Sequence, residues 1–420
     1  MRHYLPFFPI AALLAVALSS CARPLAKDAP VAAYVQGEDA GLAAAARSAG
    51  IALDLRQGTE AWTSRLRADL SSSKPAELYD AEWGAELFQT SAESSLADVQ
   101  ALWRRTTFAK SEPRWLEGIE TGPRGGFLPT SGYTWGLFFN TTLLARLGGN
   151  GPSTLPQLES LFDKAKAAGI VPVALGASFG WPAAAWFTML DLRTNGPDAV
   201  RDRNSGKRAW DDASAKTVLA KLADWRDRGW FSPEAAGTGM PESIAAVESG
   251  RSLCVLMGAF AVERLTKAGS TTFVPFPAVP RGRGNNAEIG GLVGFAVPKA
   301  EGADKDSEAR ARESAVALVD AYLLGGGSGS TTETYRVPLI HATGLAKGKS
   351  ASALPGIAGI QVEEAAMLRQ AKVLVPSFER AVAPQALQNS IPLWASFLAP
   401  LGPQPADFAA SLQKAMAPVK

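Results

Sequence analysis

TLPQLESLFDKAKAAGIVPVALGASFGWPAAAW, residues 154–186, reads as a helix, a strand and a loop in that order. Thr154 stands three residues before Gln157, the capping-box spacing that pairs two otherwise orphaned donors at a helix start. Leu158, Leu161, Phe162 and Ala165 then recur on one helical face. Gly169 suits the position just past a helix end, where positive φ is favoured. The apolar run Ile170–Leu175 follows at once and reads as a buried strand. Beyond it, Trp181 is held between a Gly and a Pro, with Trp186 five residues on. A core Trp needs neither neighbour, whereas a Trp turned toward a cleft uses both.

The same grammar repeats along the chain. Ala32–Val35, Ile51–Leu55 and Ala76–Tyr79 read as strands, separated by helices at Gly41–Ala49 and Trp62–Leu70. Tyr133–Asn140 (YTWGLFFN) is an aromatic strand. Asp212 or Ser214 caps a helix bearing Val218, Leu219, Leu222 and Trp225 and closed by Gly229. Pro241–Ser249 is a helix stopped by Gly250, and Leu253–Met257 a strand ending in Gly258-Ala259-Phe260. Ser307–Leu324 is a long helix that runs into the flexible link Gly325–Glu333, and 385–417 reads as two helices around Pro400–Pro405. Strands alternating with helices predict an α/β protein with parallel sheet. At 420 residues the chain exceeds one ordinary core, so two lobes are expected.

Composition narrows the function. The 42 basic and 40 acidic residues nearly cancel, and no long basic run exists, so nothing favours nucleic acid. Of 11 Trp, six fall between Trp135 and Trp230. Dense packing explains such a segment, and so does a surface for a ligand with flat apolar faces and polar edges. The two histidines are His3 and His341, and Cys254 is the sole cysteine after Cys21, so the usual His/Cys zinc site has no ligand set. There is no HExxH, no G-x-S-x-G elbow and no phosphate loop after a strand. No metal, cofactor or catalytic residue is therefore expected. The surroundings of Cys254 (SLCVLM) predict a buried thiol, and a bacterial-type leader argues against glycosylation at Asn140-Thr141-Thr142.

The first residues read as an address. A short basic start precedes an apolar stretch, Leu5–Leu18, too short to span a bilayer comfortably. Leu18-Ser19-Ser20-Cys21 resembles a bacterial lipobox, which implies a signal peptide over residues 1–20, lipidation of Cys21 and a tether over 21–30. Ordinary cleavage near Ala22 is the other reading.

Six segments in order resemble the family 1 extracellular solute-binding proteins, the maltose-binding-protein-like carbohydrate receptors of ABC importers. They are GFLPTSGYTWGLFFN, GGNGPSTLPQLESL, VPVALGASFGW, DWRDRGWF, AAVESGRSLCVLMGAF and FVPFPAVPRGRGNNAEIGGLVGFAVPK. Leu155 and Phe260 stand where that pattern usually has Trp, Phe139 where it has Tyr, and residues 31–110 match poorly. The resemblance implies a two-lobed, type II periplasmic-binding-protein fold, each lobe a mainly parallel sheet flanked by helices, with the ligand in the cleft. It implies one lobe from 31–132 with about 292–333 and another from about 138–285 with about 336–420. Crossings are implied near 133–138, 284–294 and 325–336. The implied partners are a carbohydrate and an ABC permease, for a monomer anchored by lipid in the cell envelope. A polyol or cationic ligand, a lipid-anchored glycoside-processing enzyme, and an adhesin or sensor subunit are the alternatives.

Ligands of open α/β sheets sit beyond the carboxyl ends of strands. That rule selects Trp181 and Phe260, each after a strand, and Tyr133 at the start of a crossing. Asp80 and Trp83, after the third strand, are further candidates, as are Glu288 and Arg336 near the hinge. Each has a competing reading: core packing for Trp181, hinge packing for Tyr133, helix capping for Asp80 and a surface salt bridge for Glu288 and Arg336. Trp186 is expected in the core.

Overall fold

The computed structural model describes residues 30–35, 40–57, 125–261, 270–299, 305–324 and 359–417, with shorter pieces between 68 and 116 and at 265, 337 and 338. Cys21 and its leader, most of the Trp62–Leu70 helix, the Gly325–Glu333 link and Arg336 lie outside the described residues.

Ten strands are described: β1 (Val31–Val35), β2 (Leu53–Gln57), β3 (Leu78–Glu82), β4 (Phe127–Asn140), β5 (Val171–Val173), β6 (Ser252–Gly258), β7 (Thr271–Pro275), β8 (Ala287–Ala296), β9 (Val337–Pro338) and β10 (Val373–Pro376). The main path runs β2-β1-β3-β8-β4-β6-β5, with β10 beside β8 and with β7 and β9 beside β4. Pairing is parallel at the flanks, β2-β1-β3 and β5-β6, where helices connect the strands. In the middle β4 leaves one lobe and β8 returns, so the two are antiparallel to each other, and β3 is antiparallel to β8. The sheet is thus mixed rather than mainly parallel.

β4 has 14 residues and reaches roughly 45 Å, enough to serve both lobes. Pro129 sits inside it because the register with β8 shifts between Pro129 and Ser131, and a bulge is where a strand tolerates a missing N–H.

Two hydrophobic cores hang on this sheet. The first gathers Leu42, Leu78, Tyr79, Trp103, Phe108, Leu128, Phe295 and Val319. The second gathers Phe138, Phe162, Trp186, Trp225, Trp230 and Trp394. Phe162 lies edge-on to Trp186, Trp225 and Trp230, with ring centroids 6.5, 6.1 and 5.4 Å away. The helix Trp181–Asn195 is buried on every side from Pro182 to Arg193, as its run of Ala and aromatics with no polar face requires. Core membership switches along β4 between Leu128 and Tyr133, and along β8 between Ile289 and Leu292. The helix Gly359–Gln370 and β10 serve both cores: Ala365, Leu368 and Leu374 join the first, and Met367 and Val375 the second.

Capping follows the sequence. The Gln157 side chain accepts from the Thr154 N–H at 3.1 Å, and Asp212 accepts from the Ala215 N–H at 2.7 Å. Asn140 is buried; it caps the next helix through the Leu143 N–H and donates to the Val247 carbonyl. Cys254 is fully buried, and burial pushes its thiol well above the ordinary value.

Candidate functional site

A cavity of about 340 Å³ is lined by Glu82, Tyr133, Trp181, Phe260, Glu379 and Arg380. Glu82 ends β3, Phe260 lies two residues past β6, and Trp181 lies beyond β5. Glu379 and Arg380 belong to the short helix Phe378–Ala381 just after β10, and Tyr133 comes from the crossing strand β4. All but Tyr133 therefore lie at or beyond the carboxyl end of a strand, where side chains and helix starts converge on one cleft.

Local sequence sets each ring. Gly180 has φ +70°, and a Cβ there would come within 2.6 Å of the Ile391 carbonyl oxygen, so the turn before Trp181 admits only glycine. Pro182 in the first helical turn gives up an N–H that would be unpaired anyway. Trp181 thus opens the helix itself, where the sequence suggested a loop. A Cβ on Gly258 would lie 2.4 Å from the Phe260 ring, so this glycine lets the ring fold back over the strand end. The rings form one edge-to-face cluster. Trp181 meets Trp135 at 5.8 Å and Phe260 at 6.1 Å, and Tyr133 meets Phe260 at 5.7 Å. Trp135 is buried beneath, while Trp181 and Phe260 are partly buried at the wall.

The polar side of the cavity joins the lobes. Arg380 forms an ion pair with Glu82, whose strand belongs to the first lobe, and hydrogen-bonds Tyr133. Burial alone would lower the Arg380 guanidinium, but Glu82 and Tyr133 hold it above its ordinary value. Glu379 accepts from the Ser377 hydroxyl at 2.5 Å, and its other oxygen is sealed without a partner. Burial pushes this carboxyl up; Ser377 and Arg380 act against the rise and the Glu82 charge adds to it. Three uncharged aromatic side chains, the buried Tyr133 and the partly buried Trp181 and Phe260, thus share the lining with a carboxylate, a guanidinium and a second carboxyl. Such an arrangement covers an apolar ring face and binds hydroxyls at its edge.

The candidates fall into three groups. Trp181, Phe260 and Tyr133 are brought together in the cavity. Asp80, Trp83 and Glu288 do not line it. Asp80 shares a strand face with Glu82 but lies one alternation back, opposite Phe295. Trp83 is buried in the first core, its backbone N–H donating to the Leu292 carbonyl. Glu288 is neither in the cleft nor in a surface pair. It meets the buried Arg193 at 2.7 Å, and Arg193 also donates to the carbonyls of Phe276 and Gly284 beside the crossing. Arg336 and Cys21 lie outside the described residues. Glu82, Glu379 and Arg380 line the cavity without any local sequence motif that marks them.

A larger cavity of about 580 Å³ lies at the other end of β5, lined by Lys166, Ile170, Arg226, Phe231 and Leu401 among others. Its buried cation, Arg226, is occupied by the Phe397 and Pro403 carbonyls. Among the described residues no cluster of His, Cys, Asp or Glu could hold a metal, and no helix is long and apolar enough to cross a membrane.

The sequence pattern of the bacterial extracellular solute-binding proteins matches residues 39–325. A "probable sugar-binding periplasmic protein" of Mesorhizobium japonicum is 32% identical over 148 residues, a third of each chain's length. Among solved structures, the bacterial solute receptor AcbH, described as having an exclusive preference for β-D-galactopyranose, superimposes with a TM-score of 0.77 at 20% identity, over 93% of this chain and 97% of its own. A secreted solute-binding lipoprotein, so described as probable, from Streptomyces coelicolor gives 0.73 at 18% identity, over 93% and 99%.

Proposed function

The chain belongs to the family of bacterial extracellular solute-binding proteins, and from that premise we propose that it is a non-catalytic receptor that closes its two lobes on a small sugar and passes it to an ABC permease. The observation that carries this reading is the cavity itself. Trp181 and Phe260 supply partly exposed rings backed by the buried Tyr133, while Glu82 and Arg380 approach from opposite lobes with hydrogen-bonding groups. A sugar ring has C–H faces that an indole covers at low entropic cost and hydroxyls that a carboxylate and a guanidinium bind with charge-assisted bonds of about 1.5–3 kcal/mol each. Closing the lobes excludes water, which lets those contacts count fully.

A thermal-shift screen over a panel of neutral sugars tests the reading, since a ligand of the folded state alone raises its stability. At least one sugar is expected to raise the melting temperature and to bind saturably with no product. Release of product from chromogenic glycosides or oligosaccharides would make the protein an enzyme instead. The anchor is tested separately: Cys21→Ser is expected to move the protein from membrane to soluble fractions, and continued tight membrane association would exclude lipidation there.

A further inference from the structure

Resting on the sugar-binding reading, we infer that the cross-lobe pair of Glu82 and Arg380 fixes the charge class of the ligand, admitting uncharged sugars and rejecting both uronic acids and amino sugars. Both side chains line the cavity, and they are 34% and 41% exposed, so a ligand reaches them. They come from different lobes and meet only where the lobes meet. Paired, they contribute no net charge to the wall. Each still has bonding capacity to spare: a guanidinium carries five N–H donors and a carboxylate about four acceptor positions. The pair therefore offers donors and acceptors to hydroxyls without offering a counter-charge to an ion.

A charged ligand must break this arrangement. A uronate carboxylate would compete with Glu82 for Arg380, which also holds Tyr133. An ammonium would have to draw Glu82 from Arg380. Among the described residues the remaining lining does not alter the balance. Trp181, Phe260 and Tyr133 carry no charge in their ordinary state, and Glu379 has one oxygen bonded to Ser377 and the other sealed. Burial favours the neutral form of that carboxyl, and the nearby Glu82 charge works in the same direction.

Either partner alone would reverse the preference. Glu82→Gln keeps shape and leaves Arg380 as an unpaired cation in the wall. Arg380→Gln leaves Glu82 as an unpaired anion. The experiment is calorimetric titration of the wild-type chain and both variants with matched probes: galactose, galacturonate and galactosamine, and the glucose series, at a pH where the amine is charged. The wild type is expected to bind one neutral hexose at least tenfold more tightly than its acid or amine counterpart. Glu82→Gln is expected to shift the ratio toward the uronate by at least tenfold, and Arg380→Gln toward the amino sugar by a similar factor. Melting curves show that each variant is folded, and either one alone suffices to read the direction of the shift. Wild type that binds a charged probe as tightly as the neutral one, or folded variants that keep the wild-type preference, would overturn the inference and leave the sugar-binding reading standing. Wild type that binds no sugar in the screen would overturn both.

Discussion

Arg203 and Arg380 are both second-lobe arginines paired with carboxylates, and they do opposite things. Arg203 is 1% exposed. It meets Asp191, also 1% exposed, at 3.2 Å, reaches Asp212 and the Ser214 hydroxyl, and donates to the Ala209 carbonyl. Its guanidinium packs 5.9 and 5.8 Å from the rings of Phe187 and Trp210. Burial would raise the Asp212 carboxyl, but the Ala215 N–H, Ser214 and Arg203 hold it down at about 2. All three of its nitrogens are bonded inside one core. Arg380 instead has a carboxylate from the other lobe, a phenol and an open side facing a cavity. The same kind of ion pair is sealed when its bonds close on themselves within one lobe, and faces a cavity when they span two.

That contrast can be broken by experiment. Asp191→Ala leaves Arg203 buried without its main counter-charge and is expected to cost about 3–5 kcal/mol in denaturant unfolding, with sugar affinity of the folded fraction unchanged. A loss below about 1 kcal/mol would place Arg203 in the same class as Arg380. Trp181→Ala is expected to weaken sugar binding at least tenfold, about 1.4 kcal/mol or more, in calorimetry. Its melting temperature should stay near that of the wild type, because Trp181 stands at the wall of the aromatic cluster and Trp135 beneath it. Intact affinity with a large fall in melting temperature would make Trp181 a core residue.

Glu364 sharpens the comparison from a third position. It is fully buried, accepts from the Thr134 N–H on crossing strand β4 at 3.0 Å, and its second oxygen is sealed without a partner. Burial raises its carboxyl well above 4.5, against the opposing effect of the Thr134 bonds. A raised folded value means that the stability it contributes is complete below the unfolded value and is lost as pH rises through the folded one. Relative to Glu364→Gln, the wild type is expected to lose about 1.4 kcal/mol per pH unit within that window. Parallel stability–pH curves would show that this carboxyl is not held protonated. The smallest effect is expected for Glu82→Gln. Its pair is one-third to two-fifths exposed, so unfolding free energy should change by less than about 1 kcal/mol, however strongly ligand preference changes.

Much of this fold was written in local patterns. Capping at Thr154 and Asp212, the stop at Gly169 and the apolar strand after it need only neighbours within a few residues, and they appear where the sequence puts them. The aromatic lining of the candidate cavity is legible for the same reason: Gly180-Trp181-Pro182 and Gly258-Ala259-Phe260 each announce a turn beyond a strand. The polar half was not. The local pattern ends β3 at Tyr79 and so puts Asp80 in the loop. In the structure, pairing with β8 carries it on to Glu82, opposite Val293, more than two hundred residues away in sequence. A strand's end set by a distant partner leaves no local mark. Arg380 is further from any motif, since a four-residue helix after a four-residue strand has too few positions to show a period. Glu288 failed differently. Its place before Gly290-Gly291 suggests a hinge-side polar group, but only tertiary packing brings Arg193 to it.

The most direct test is a crystal structure of the chain grown with whichever sugar most raises its melting temperature. The sugar should lie between the lobes, one ring face against Trp181 and its hydroxyls within hydrogen-bond distance of Glu82 and Arg380. A sugar found instead in the larger cavity at the amino end of β5, with Trp181 untouched, would contradict this account.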